Sequence, residues 1–173
     1  MNYGAIGAVV AHEITHGFDR FIENSNSWPK DVLEHYKKKV QCLTEQYSTY
    51  EEPEIKVKLN GAVTSKEDIA DNGGLKLAYR AYQKWKKTSE EIEPKLIALS
   101  YNPKQLFWIS YAQFYCTVQR EKIKIAKIET NEVHSFDRFR VIGPLMNSLE
   151  FANDFGCSAE NKMSLPRERC SIW

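Results

Sequence analysis

Two histidines four residues apart, set in an apolar run, constrain this chain more than any other feature of it. Residues 5–16 read as a helix whose one internal breaker is Gly7, with Gly17 as its expected end. On a helix, positions i and i+4 share a face, so His12 and His16 can present two imidazole nitrogens to one ion. Glu13, beside the first histidine, can hold a zinc-bound water and take its proton. Zinc brings the pKa of such a water toward neutrality, and the resulting hydroxide can attack a carbonyl. The same pattern also arises by chance on solvated helices. Here, however, its neighbours Ala5, Ile6, Ala8, Val9 and Val10 are apolar and uncharged. The helix is therefore suited to burial, and histidines within it need partners.

A catalytic zinc needs a third protein ligand and a fourth position open to water. The best candidate lies in "SKEDIADNGGL", where Glu67 and Asp71 stand four apart on an expected helix. One carboxylate can bind zinc while the other accepts the second ring N–H of a ligand histidine. An alternative stays open, because Thr64-x-x-Glu67 also reads as a capping box in which Glu67 satisfies a backbone N–H. Asp19, three after His16, is either another orienting carboxylate or a solvated charge near a helix end. In "VHSFDRFRVIG", His134 can donate to a developing oxyanion and Arg140 can grip a substrate carbonyl. Taken alone, each reads first as a surface or structural residue, and sequence physics does not lift either above that reading.

The 173 residues suffice for one domain with a real core. With 42% hydrophobic and 27% charged residues, the chain reads as globular rather than disordered. A net charge of +1 gives no electrostatic reason to expect nucleic acid or an anionic membrane as partner. No window approaches the ~18 apolar residues of a membrane span, and the opening lacks the basic region of a signal peptide. Cys42, Cys116, Cys157 and Cys170 are widely spaced, which suits disulfides better than a zinc cluster and leaves three pairings open.

Pro29 is expected to open a second helix running to about residue 47. "IKVKLNGAVT" alternates and holds Asn60-Gly61, a favoured two-residue hairpin turn. A third helix is expected from about Ser65 to Lys87, with Ala70, Gly74, Leu77, Ala78, Ala81 and Trp85 as its buried stripe. Asn102-Pro103 begins a segment apolar nearly all round, read as the buried central helix. Residues 121–140 read as irregular, and Gly143-Pro144 opens a last helix ending at Gly156. The expected fold is mainly α with one small β-hairpin.

In order along the chain, "NYGAIGAVVAHEITHGFD", "LNGAVTSKEDIADNGGLKLAYRAYQ", "KQLFWISYAQFYC", "VHSFDRFRVIGPLMNSLEFANDFGC" and the terminal "CSIW" resemble the neprilysin and endothelin-converting-enzyme family of zinc metallopeptidases. The resemblance covers essentially the whole chain. It implies a zincin-like (thermolysin-like) helical subdomain and one zinc per chain, held by His12, His16 and Glu67, with Glu13 as general base. It further implies that Asp71 and Asp19 orient the ligand histidines, that His134 stabilises the transition state, and that Arg140 holds the substrate carbonyl. Val9 resembles a wall residue of the pocket for the side chain after the scissile bond. The activity so implied is cleavage of oligopeptides on the amino side of hydrophobic residues, at an extracellular or cell-surface location.

Two local departures stand out. Glu132-Val133-His134-Ser135-Phe136 replaces the usual Asp-Val-His-Ser-Pro, and Tyr115 stands where tryptophan is common beside Cys116. In the family this segment is the C-terminal part of a longer ectodomain, preceded by a cytoplasmic tail, a membrane anchor, a second lobe and a substrate-binding Asn-Ala strand. Residues 1–173 are accordingly expected to be a catalytic segment, a fragment or a truncated homologue. The resemblance pairs Cys42 with Cys170, and pairs Cys116 and Cys157 with cysteines upstream. Peptide substrates are the expected partners, together with the upstream lobe or a full-length relative. A second expectation, from a different class, is an inactive zinc-binding module acting by interaction or as a decoy.

Overall fold

The computed structural model describes residues 1–24, 28–90, 93–94, 96–158, 160–164 and 169–173, and of residues 19–24 and 164 the backbone alone. It is mainly helical. Helix α1 spans Ile6–Asn24 and α2 spans Lys30–Ser48. Strands β1 (Glu51–Glu52) and β2 (Val57–Lys58) form an antiparallel pair in the register Glu51 with Lys58 and Glu52 with Val57. Then come α3 (Gly61–Thr88), α4 (Pro103–Phe114), α5 (Glu121–Glu129), α6 (Asp137–Asn147), α7 (Leu149–Phe155) and a 3-10 turn at Lys162–Ser164. No described helix is long and apolar enough to cross a membrane.

The centre of the fold is α3, not α4. At 28 residues it is about 42 Å long, and α1, α2 and α6 all pack along it. One core, with Ala8 and Ala11 of α1, Tyr79 and Tyr82 of α3, and Phe107 and Trp108 of α4, fills one side. A second, with Leu43, Tyr47, Ile69, Phe136 and Phe139, fills the other. Being covered on two sides widens the buried face of α3. Leu75, Ala78, Tyr79 and Tyr82 are buried, while the expected Leu77 and Ala81 face water.

Several expected boundaries move, each for an identifiable reason. Helix α1 continues through Gly17, where a Cβ would meet only open space. A glycine in an exposed helix interior costs about 1 kcal/mol, too little to end a helix docked through Ala8, Ala11 and Thr15. Asn60-Gly61 makes no hairpin turn. Asn60 Oδ1 accepts from Ala62 N at 3.2 Å and caps α3, so the helix begins four residues before Ser65. The strands instead turn through residues 53–56, with Lys56 at φ 53°. Residues 121–129 are helical although expected to be irregular. None of them is buried, and Lys124 ties the helix to Glu52 and Glu54 at 2.8 Å each.

Gly143-Pro144 sits inside α6 rather than opening a new helix. Proline at 144 removes the hydrogen bond that the Arg140 carbonyl would receive. Tyr111 Oη donates to that carbonyl at 2.6 Å, which repairs the loss. The last α-helix starts only at Leu149, capped by Ser148 Oγ accepting from Phe151 N, and is closed as expected by Gly156 at φ 63°. Cys42 and Cys170 form the disulfide that the resemblance implied, and Cys116 and Cys157 carry free thiols.

Candidate active site

Helices α1 and α3 touch backbone to backbone at Gly74, and a Cβ there would lie 2.6 Å from His12 N and 2.8 Å from His12 Cα. This close crossing lays His12 and His16 alongside Glu67, one helix supplying imidazoles and the other a carboxylate. His12 Nε2 lies 3.0 Å from His16 Nε2 and 3.3 Å from Glu67 Oε2, and His16 Nε2 lies 3.4 Å from Glu67 Oε1. Of the described acidic, histidine and cysteine residues, these three form the group able to hold a metal ion.

The donor set suits zinc. Two imidazoles and a carboxylate with one position left open are a catalytic zinc's ligands. Bonds of about 2.0–2.1 Å to a tetrahedral ion place ligand atoms about 3.3 Å apart, close to the separations seen. Glu67 Oε2 is sealed from solvent and faces imidazole nitrogens of His12 at 3.3 Å and His134 at 3.1 Å without a well-directed hydrogen bond to either. A buried carboxylate oxygen whose hydrogen bonds are poorly directed is costly, and a cation between the two helices would satisfy it. Burial alone would raise the Glu67 carboxyl. The histidines around it, His12 first and then His134 and His16, outweigh burial and hold it at about 2.

Asp71, one turn beyond Glu67, is almost wholly buried and serves three elements. Its Oδ1 accepts from His12 Nδ1 at 2.8 Å, from Arg140 Nη2 at 2.8 Å and from Tyr115 Oη at 3.3 Å. Its Oδ2 accepts from Arg140 Nε at 2.7 Å. The bond to Nδ1 fixes the His12 ring and leaves Nε2 turned toward His16 and Glu67. Burial disfavours the charged His12 ring, but hydrogen bonds to Asp71 and Glu67 overcome this and push it up to about 9. The Arg140 guanidinium also lies over the Tyr115 ring, 4.8 Å from its centroid.

His134 reaches the same cluster from the 130–136 loop. Its Nε2 lies 3.1 Å from Glu67 Oε2, and its Nδ1 bonds Glu132 Oε1 at 2.7 Å. The extra methylene of Glu132 therefore does not prevent the contact. Glu13 is exposed, and Val9, one turn before it on α1, is half-buried. Asp19 lies on α1, but its side chain falls outside the described residues. Thr64-x-x-Glu67 is not a capping box. Asn60 caps α3, Thr64 is inside the helix, and Glu67 is free for the cluster.

The sequence was silent on Asp68 and Ser135, a buried pair beside Glu67 and His134. It also marked Gly74 only as part of a stripe, and Tyr115 only as a departure. The adjacent glycines after Asp71 were the one local signal of the close helix crossing.

The sequence matches the description Peptidase family M13 over residues 1–172. The chain is 42% identical to neprilysin-2 of Caenorhabditis elegans, with all of this chain and 24% of that protein aligned. It is 41% identical to neprilysin of Homo sapiens over the same shares. Among solved structures, the zinc metalloprotease Zmp1 of Mycobacterium tuberculosis, in complex with an inhibitor, superposes with a TM-score of 0.88 at 28% identity, over 99% of this chain and 27% of that one. PepO of Lactobacillus rhamnosis superposes at 0.80 with 25% identity, over 99% and 26%. The helical layout is thus zincin-like, and the chain spans about a quarter of the length of the curated relatives it matches.

Proposed function

Because the chain belongs to peptidase family M13, we propose that residues 1–173 form the catalytic segment of a neprilysin-like zinc metalloendopeptidase. His12, His16 and Glu67 would hold the metal. The convergence of their ligand atoms, all within 4.8 Å of one another, carries the proposal.

Bound zinc supplies a Lewis acid and a water acidified toward neutrality. Glu13 is the residue that would accept a proton from the attacking water and pass it to the leaving amine. His134 Nε2 donates to the oxygen that becomes negative, and Arg140 holds the neighbouring substrate carbonyl. Asp71 keeps the Arg140 fork and the His12 ring in register. Asp19 is assigned the corresponding role at His16 on resemblance alone. Val9 is assigned on resemblance alone to the wall of a pocket for a hydrophobic side chain, and oligopeptides cut on the amino side of such residues are the substrate class. The Cys42–Cys170 disulfide supports an extracellular or cell-surface setting. The remainder of a longer ectodomain is the partner assigned beside the peptide.

One observation favours the second reading, an inactive zinc-binding interaction module. Ile6, Val10, Ile14 and Phe18 form an exposed apolar stripe along α1, a surface suited to contact with another protein. Hydrolysis of a quenched peptide with a hydrophobic residue after the scissile bond separates the two. It should be abolished by chelation and by Glu13→Gln, which leaves zinc bound. Chelator-resistant cleavage would refute the mechanism, and a zinc-loaded but inert chain would favour the interaction module.

A further inference from the structure

The residue after Glu67 is also a carboxylate, and it is the more deeply buried of the two. Asp68 and Ser135 are both 0% exposed. Ser135 Oγ donates to Asp68 Oδ1 at 2.6 Å, and Thr64 Oγ1 donates to Oδ2 at 2.7 Å. A carboxylate in so dry a place is costly unless each oxygen is bonded, and here each is. The bonds join α3 to the loop that carries His134.

The contacts run in register. Glu67 meets His134 at 3.1 Å, and the next residue on α3 meets the next residue of the loop. Consecutive helix residues point about 100° apart. Two adjacent rungs therefore fix both the distance of the loop from α3 and its rotation about the helix axis. His134 needs that help, because its side chain is 41% exposed and rests on Glu132 and Glu67, while Ser135 beside it is sealed in.

We infer that Asp68 is a positioning residue for His134, acting through Ser135 to aim the imidazole at the reacting carbonyl. The inference rests on the reading of His134 as the oxyanion donor. It goes further in assigning the aim of that donor to a buried pair outside the metal ligands. A plain staple of the fold would use the same hydrogen bond, so the test must tell aim from stability.

Ser135→Ala and Asp68→Asn would each be made in the parent chain and in a His134→Ala background, and studied as the zinc-loaded full chain. Steady-state kinetics would be read beside zinc affinity, from competition with a chromophoric chelator, and the imidazole nitrogen resonances of His134. Ser135→Ala should lower kcat about tenfold, with KM and zinc affinity unchanged. In the His134→Ala background it should cost nothing more, because the donor it aims is gone. Asp68→Asn should keep most of the parent rate, since the amide oxygen can still accept from Ser135 and its NH2 can donate to Thr64. The His134 ring resonances should shift in Ser135→Ala. Equal losses in both backgrounds, or a fall in zinc affinity, would overturn the inference. Should the parent chain cleave no peptide, the proposed activity fails by itself, and the ring resonances still decide: unchanged in Ser135→Ala, they overturn the positioning role.

Discussion

Substituting alanine for Gly74 places a methyl group where α1 and α3 touch. The new Cβ would sit 2.6 Å from His12 N, 2.8 Å from His12 Cα and 3.0 Å from the Ala11 carbonyl carbon. All three are backbone atoms, so no side chain can swing aside. Carbon contacts settle at about 3.5 Å, and α1 must therefore retreat by about 1 Å at His12. The candidate ligands are divided across that crossing, two on α1 and one on α3. Metal sites tolerate deviations of about 0.2 Å in their bonds, so the shift exceeds the tolerance several-fold. Zinc affinity should fall at least about tenfold, as it does when orienting groups are disturbed. Stability should change far less. Overpacking costs about 1–3 kcal/mol, and alanine regains about 1 kcal/mol over glycine in a helix. The net loss of at most about 2 kcal/mol lowers Tm by about 2–4 °C per kcal/mol. Chelator competition would measure affinity, and thermal unfolding of the metal-free chain would measure stability. Gly17→Ala, into open space, is the control and should leave affinity intact. A Gly74→Ala chain that binds zinc as tightly as the parent would refute the argument that the crossing sets the site.

Replacing Cys42 and Cys170 with serine opens a disulfide of sequence separation 128. The chain-entropy estimate puts the loss at about 5 kcal/mol as an upper figure, readable from urea unfolding, and an unchanged midpoint would contradict it. Tyr111→Phe leaves the Arg140 carbonyl, already deprived of its helical bond by Pro144, without its partner; it should cost about 1–3 kcal/mol, and a neutral result would show that another donor reaches it. Zinc at a thousandfold over its Kd should stabilise the chain by about 4 kcal/mol. Chelator should reverse the gain and Glu67→Gln should remove most of it, whereas an equal gain in Glu67→Gln would place the metal elsewhere.

Local chemistry made much of this legible. Helical spacing groups His12 with His16 and Glu67 with Asp71, and α1 shows in its apolar run, α2 in Pro29 and α4 in Asn102-Pro103. Misreadings arose where one signal serves two structures. Asn60-Gly61 suits a hairpin turn and a helix cap equally, and only the packing of Gly61 against Thr44, where a Cβ would lie 2.3 Å from its carbonyl oxygen, decides between them. Helix α5 escaped notice because it buries none of its residues and so has no periodicity to show. Gly143-Pro144 looked like a start because a proline inside a helix needs an outside donor, and Tyr111 is 29 residues away. The Asp68–Ser135 bond spans 67 residues of sequence and leaves no local trace at all.

The Cys42–Cys170 bond divides the molecule covalently. Residues 42 to 170 form a closed ring that contains Glu67, Asp71, His134 and Arg140, while α1, with His12 and His16, lies wholly outside it. Helix α1 is kept in place by packing against α3 and by the His12–Asp71 hydrogen bond. Its attachment to α3 is thus non-covalent throughout, through Ala8, Ala11 and Thr15, whereas the ring is closed by a covalent bond. A metal ion shared between His12, His16 and Glu67 would pin that free arm to the ring. Amide exchange along α1 should then slow on zinc loading far more than exchange within α3, which makes α1 the part of the chain whose persistence depends on its metal.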